Sequence, residues 1–233
     1  MKFYQEITLI DQAEISPYFI WSKLYAQLHI ALAEQKNIED KVSIGVSFPQ
    51  YIYEEKGDDE KSKVNLGKKL RLFSESESDL KKLDLRKWLE RLEDYVHITS
   101  IREVPSDIKS YTIYKRKQVK TNAQRLARHR VKRGDIGFDE ALVRYSNVVT
   151  TTNFPYIEMK SLSTSDQQSE KRFKLFIEKQ PAEKTDTQVF STYGLSSVSS
   201  VPEFYPNLFS LFNSLIKSIS YNSKLILGSF IGF

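Results

Sequence analysis

The side chains best suited to chemistry begin with one run of basic residues. Residues 108–134 hold ten of the 35 lysines and arginines and none of the 30 aspartates and glutamates. The rest of the chain carries 25 basic against 30 acidic residues, so the whole positive excess comes from this segment. In NAQRLARHRVKRG, Arg125, Arg128, His129 and Lys132 fall at i, i+3, i+4 and i+7 and share one helix face, flanked by Arg130 and Arg133. Like charges so placed repel by about a few tenths of a kcal/mol per pair, so a counter-charge must compensate. A solvated face normally mixes both signs, and a membrane-binding helix sets Trp, Phe and Leu opposite its charges. This helix does neither, and a nucleic acid fits it best. Arginine's planar fork suits phosphate oxygens. Arg116 and Gln118, two residues apart on a strand-like approach, are the types that make bidentate contacts to guanine and adenine.

The three histidines, His29, His97 and His129, are far apart. No H-x-H or H-E-x-x-H spacing and no carboxylate cluster occurs, so neither a metal ion nor any other cofactor is expected. On spacing alone His29 is a partly buried histidine at the edge of a helix stripe. The cluster SLSTS (161–165) reads as a loop, and Tyr193 as a strand aromatic. These residues gain a joint meaning if the polyanion is RNA. Its 2′-OH is an internal nucleophile beside each phosphate. Cleavage then needs a base such as histidine and hydroxyls that hold the ribose in line, without metal.

The elements that must position these groups follow from periodicity. With 233 residues, 40% hydrophobic and 28% charged, the chain reads as globular, one large domain or two small ones. It contains no cysteine, which excludes disulfides and thiolate chemistry and suits a reducing compartment. Glu6 interrupts the one apolar run of the N-terminus, so no signal peptide is read there and cytoplasmic residence is expected. FYQEITL (3–9), KVSIGVSFP (41–49), KKLRLFS (68–74) and VHITSIREV (96–104) read as strands. Ser16-Pro17 opens a helix reaching about Gln35, and Ser76 or Ser78 opens another carrying Leu80, Leu83, Leu85, Trp88, Leu89 and Leu92. The acidic EEKGDDEKSK reads as a solvated loop. This βαββαβ order predicts a ferredoxin-like (RRM-like) domain over residues 1–105. Residues 106–204 then form a second domain, α+β like the first, with the arginine-rich helix and a small antiparallel sheet from FPYIEMKSL, KRFKLFIEK and TQVFSTYGL. Thr121 to Gln124 fits a capping box, Gly134 a stop signal, and FDEALVRY a further helical turn or two.

The extension over 205–233 is apolar, rich in Ser and Asn and nearly uncharged. Lys217 and Lys224 divide it into runs shorter than the roughly 18 residues of a membrane span, so no membrane is expected as a partner. Interfacial helix, partner-binding segment and packed extension all remain open for it.

Six ordered motifs resemble the type I-F CRISPR repeat-processing endoribonuclease family across residues 1–204. They are SKLYAQLHIALAEQ around His29, VSIGVSFP, LGKKLRLFS, the R-x-Q-x-K-[ST]-N-x-x-R-L segment, SLSTS followed by RFKLFIEK, and STYGLSS ending in VPEF. The resemblance implies that His29 is the general base on the 2′-OH and that Ser161 holds the ribose, with Ser163 supporting it. Tyr193 matches the tyrosine that orients the histidine. It also implies an RNA-binding set of Arg116, Gln118, Lys120, Asn122, Arg125, Arg128, His129, Arg130, Lys132, Arg133 and Phe173. The arginine-rich helix would enter the major groove of a CRISPR repeat stem-loop. Because that groove is deep and narrow in A-form RNA, phosphate contacts are expected there. Base readout would fall to Arg116 and Gln118, with Phe173 stacking on the terminal base pair. Products would be a 2′,3′-cyclic phosphate and a 5′-OH, made without metal or other cofactor. Partners would be the precursor and mature guide RNA and the other subunits of the type I-F interference complex. A non-catalytic hairpin-binding subunit is the alternative. The chain departs from the family at Ala127, at His129 and at Gly134, which ends the helix early.

Overall fold

The computed structural model describes residues 1–54, 63–119, 123–146, 152–161 and 171–204. Lys120, Asn122, Ser163, the start of the capping box and the 205–233 extension therefore lie outside the described residues. Met1–Glu203 pack as one compact unit. The protein is a mixed α+β structure built on antiparallel sheets.

In chain order the first half of the chain runs β1 (Phe3–Leu9), α1 (Pro17–Glu34), β2 (Lys41–Val42) and β3 (Gly45–Ser47). A hairpin, β4 (Ile52–Glu54) and β5 (Lys63–Asn65), leads to β6 (Lys69–Ser74), α2 (Glu77–Leu83), α3 (Leu85–Trp88), β7 (Val96–Ile98) and β8 (Arg102–Glu103). The strands pair as β3-β6-β1-β7, with every neighbour antiparallel. Alternation puts Ile7, Leu9, Leu70 and Leu72 on one face, and all four are buried. So are Ile20, Leu24, Leu28 and Leu32 along α1.

Three expected elements are broken, each for a local reason. VHITSIREV is two strands, not one. Tyr4 pairs with Arg102 while Ile7 pairs with Ile98, so the edge strand carries one extra residue. This bulge is held by the Thr99 hydroxyl, which accepts from the Glu6 amide at 3.0 Å, and by Gln5 Nε2 donating to the Thr99 carbonyl. KVSIGVSFP splits because β2 and β3 have different partners. The second helix breaks at Asp84, which adopts φ 46° and caps α3 by accepting from the Lys87 amide.

The second sheet contains β9 (Ser110–Lys117), β10 (Tyr156–Lys160), β11 (Arg172–Ala182) and β13 (Val201–Glu203), paired β10-β11-β9-β13. Between them lie α4 (Ala123–Val131), α5 (Phe138–Ser146) and the short β12 (Phe190–Ser191). TQVFSTYGL is not a third long strand: only Phe190–Ser191 pairs, with β2, and a tight turn follows. Phe48 ties the sheets together. Its ring lies 5.7 Å from Trp21, 6.1 Å from Tyr25 and 5.5 Å from Tyr114, and its carbonyl accepts from the Tyr114 hydroxyl.

Glu6 and Arg71 face each other across β1 and β6 in a nearly dry ion pair, Arg71 Nε donating to Glu6 Oε2 at 2.6 Å. Lys69 Nζ donates to the other carboxylate oxygen. Burial pushes the Glu6 carboxyl up, but the Lys69 and Arg71 hydrogen bonds outweigh it and hold it below its usual range. Removing one partner from a buried pair strands the other charge, so Glu6→Ala should cost about 3–5 kcal/mol at neutral pH. Because the native carboxyl titrates lower than the unfolded one, this stabilisation is complete above the ordinary glutamate range. It fades as pH falls through the native value. Urea midpoints measured at pH 7 and under acid should show the wild-type advantage shrinking; a pH-independent difference would contradict this.

Candidate nuclease site

α1 begins where the sequence places it. Pro17 occupies the first turn and Ser16 caps it, its hydroxyl accepting from the Tyr18 amide. Tyr25 and His29 are one turn apart. Tyr25 is wholly buried, whereas His29 reaches the surface. His29 Nδ1 lies 2.9 Å from the Thr192 carbonyl oxygen. A carbonyl can only accept, so Nδ1 donates, and the neutral ring keeps its lone pair on Nε2. The Tyr193 ring stacks on the imidazole with centroids 4.1 Å apart and planes 6° from parallel.

The segment Ser191–Leu195 presents both contacts. Gly194 N donates to the Ser191 carbonyl at 2.7 Å and Ser191 N to the Leu195 carbonyl at 2.8 Å. Gly194 has φ +70°, and a Cβ there would come within 2.5 Å of Val46 Cγ1, so glycine is required on both counts. Two outside donors fix the turn: the Val46 amide to the Gly194 carbonyl, and the Tyr25 hydroxyl to the Tyr193 carbonyl at 2.8 Å. Burial, with the neighbouring Tyr193 adding to it, pushes the Tyr25 phenol far up, so it stays a donor. Burial also raises the Tyr193 phenol, partly offset by the charge of Arg116.

Arg116 extends this cluster. Its guanidinium lies 5.8 Å from the Tyr193 ring and 5.3 Å from the Phe173 ring, linking the expected base reader to the expected stacking aromatic. Gln118 shares its strand parity and is also exposed. Ser161 directly follows β10, and its amide donates to the Lys171 carbonyl. β10 is held against α1 by the Ser22 hydroxyl, which donates to the Glu158 carbonyl at 2.6 Å. Ser161 thus sits just past the end of the strand beside the histidine's helix.

The basic helix has its charged face outward: Arg125, Arg128, His129 and Lys132 are exposed, as is Arg133 just beyond. Ala127, fully buried, supplies its packed side, and Ala141 of the neighbouring α5 is equally buried. Arg130 is half-buried and pairs with the exposed Asp135, so it stands apart from the exposed cations. Gly134, at φ +80°, ends the helix with its amide donating to the Val131 carbonyl. Among the described residues no three His, Asp or Glu side chains converge as metal ligands would. No described helix is long and apolar enough to cross a membrane.

A family model described as "CRISPR-associated protein (Cas_Csy4)" matches residues 4–204. The chain belongs to this family. It is 33% identical over 206 residues to the CRISPR-associated endonuclease Cas6/Csy4 of Escherichia coli UTI89, covering 88% of this chain and all of that protein. It is 34% identical, with the same coverage, to the protein of that name from Pseudomonas aeruginosa UCBPP-PA14. A solved RAMP protein, titled as binding different RNA substrates, shares 10% identity over 86% of this chain and 99% of its own at a TM-score of 0.33.

Sequence reasoning missed Tyr25, the Thr192 carbonyl and the role of Gly194. Only the glycine left a signal, as a breaker inside a segment read as strand. Tyr25→Phe leaves the Tyr193 carbonyl without its buried donor and should cost about 1–3 kcal/mol. Gly194→Ala should also destabilise, because it adds both the left-handed strain and the Val46 overlap. Urea unfolding reads both, and two unchanged midpoints would show that neither residue holds the turn.

Proposed function

We propose that this chain is a CRISPR repeat-processing endoribonuclease, with His29 as the base that starts cleavage. The observation that carries the reading is the 2.9 Å contact of His29 Nδ1 with the Thr192 carbonyl, which assigns the ring proton to Nδ1. With Nδ1 bound to the Thr192 carbonyl and Tyr193 stacked behind the ring, Nε2 is the basic atom left for a substrate. It removes the proton of the 2′-OH, whose oxygen attacks the adjacent phosphorus. The bond to the 5′ oxygen breaks, and that oxygen leaves carrying a proton. The products are a 2′,3′-cyclic phosphate and a 5′-OH, and no step needs a metal. Ser161, supported by Ser163, positions the ribose.

The two relatives, both CRISPR-associated endonucleases, support this reading, as does the match of the family model to nearly the whole described unit. In the same account the exposed α4 cations bind the phosphates of a repeat stem-loop. Arg116 and Gln118 read base pairs at its foot, and Phe173 stacks on the last pair. Lys120 and Asn122 are further RNA contacts in this reading. Residues 1–105 act as a ferredoxin-like half that supplies the base, supported by the β3-β6-β1-β7 order. Residues 106–204 act as the half that holds the RNA. The protein works in the cytoplasm and keeps its product as a subunit of the interference complex.

The decisive test is cleavage of a labelled repeat stem-loop in EDTA, beside a copy with a 2′-deoxy sugar at the scissile nucleotide. His29→Ala should bind as wild type and cut at least about a hundredfold more slowly, the low end for a general base. Cleavage of the deoxy copy, or undiminished cutting by the variant, would sink the mechanism. A variant chain that neither cuts nor binds would point to damage in the fold, which His29→Gln then checks.

Arg128→Ala tests the binding helix separately. It should weaken binding and lower the salt dependence by about one counterion, with cleavage at saturating protein unchanged. An unaltered salt slope would place Arg128 away from the phosphates.

A further inference from the structure

The second sheet has a face that the site does not use. Its register places Lys117, Lys174, Phe176 and Tyr156 together on the side opposite Arg116 and Phe173, with Glu158 and Glu178 among them. The inner face carries the buried Ile157, Met159, Leu175 and Ile177, whereas Lys117, Glu158 and Lys174 are exposed. Both carboxylates are already countered. Glu178 lies 3.1 Å from Lys117 and 3.7 Å from Lys115, and Glu158 lies 3.1 Å from Arg172. Lys115, Lys117, Lys160, Arg172 and Lys174 against two glutamates leave this face cationic.

The aromatic rings on it are covered by ammonium groups. Lys174 Nζ sits 4.3 Å above the Tyr156 ring, and Lys117 Nζ 5.6 Å above Phe154. Phe154 in turn stacks on Tyr53 at 4.4 Å, and Tyr156 meets Phe176 edge-on at 5.4 Å. Phe154 and Tyr156 are half-buried, each with an edge at the surface under its lysine. Such a head group is easily displaced, and stacking a base there is worth more than the cation–π contact it replaces. The displaced ammonium then becomes available to the neighbouring phosphate. Solvent-facing antiparallel sheets with aromatics among cations take single-stranded RNA in this way.

We propose that this outer face of the second sheet is a binding platform for single-stranded RNA flanking the stem-loop, with bases stacking on Tyr156 and Phe154 and with Lys117 and Lys174 on the phosphates. It rests on the RNA-processing reading above. Its location at the β10 and β11 strands that lead into Ser161 and Phe173 suits a strand continuing past the foot of the stem.

The test compares three probes by fluorescence anisotropy: the bare repeat stem-loop, the stem-loop with a single-stranded extension of about eight nucleotides, and that extension with abasic sugars. The extension should tighten wild-type binding about tenfold and steepen the salt dependence by about two counterions. The abasic extension should lose most of the tightening. In a Tyr156→Ala, Lys174→Ala double variant the bare stem-loop should bind as in wild type while the advantage of the extension disappears. No advantage in wild type, full advantage with abasic sugars, or an advantage that survives in the variant would each overturn the platform. The bare stem-loop reports on the hairpin reading alone, so failure of that reading shows as loss of binding in the first probe.

Discussion

The site depends on one buried hydroxyl. Tyr25 donates to the carbonyl of Tyr193 from the same helix that, one turn later, carries His29. The helix therefore holds both His29 and the turn that orients it. The imidazole is fixed against that turn by a hydrogen bond to Thr192 and by the face of Tyr193. Without a fixed turn, a half-exposed histidine has two tautomers and several rotamers, and only one combination aims Nε2 outward. Gly194 makes the turn possible and Val46 anchors its far end.

Charge and chemistry are divided between different parts of the fold. The exposed cations of α4 stand on a helix whose buried side is little more than Ala127, so the helix is shaped for contact with a partner. His29 stands on α1, whose core residues tie it to the first sheet. Arg116 is the link, lying over Tyr193 on one side and Phe173 on the other. A group that engages Arg116 thus acts one ring, that of Tyr193, away from His29. In the proposed mechanism that proximity gives recognition and cleavage a shared structural element.

Much of this was legible in the sequence where one rule dominated. Ser16 and Pro17 marked the start of α1, Gly134 marked the end of α4, and the lack of acids over 108–134 marked the cationic face. The Arg125, Arg128, His129 and Lys132 stripe is outward as its spacing required. The misread segments are those where tertiary partners overrule local pattern. Alternation in TQVFSTYGL resembles a strand, yet the Val46 and Tyr25 donors, distant in sequence, bend it into the turn. The 96–104 segment keeps its pairing partner but takes an extra residue because Thr99 competes for the β1 backbone. Arg130 belonged by spacing to the basic set, and only the fold brought Asp135 to it. The roles of His29, Ser161 and Tyr193 came from resemblance, since nothing in their spacing distinguishes them.

The central claim is that His29 is held in one tautomer by the Thr192 carbonyl. Nitrogen-15 NMR of the imidazole, on protein labelled at histidine and held at a pH where the ring is neutral, measures this directly. His29 should show a protonated Nδ1 and an unprotonated Nε2, distinct from the mixed signal of exposed His97. A His29 ring carrying its proton on Nε2, or averaging between the two nitrogens, would contradict the account.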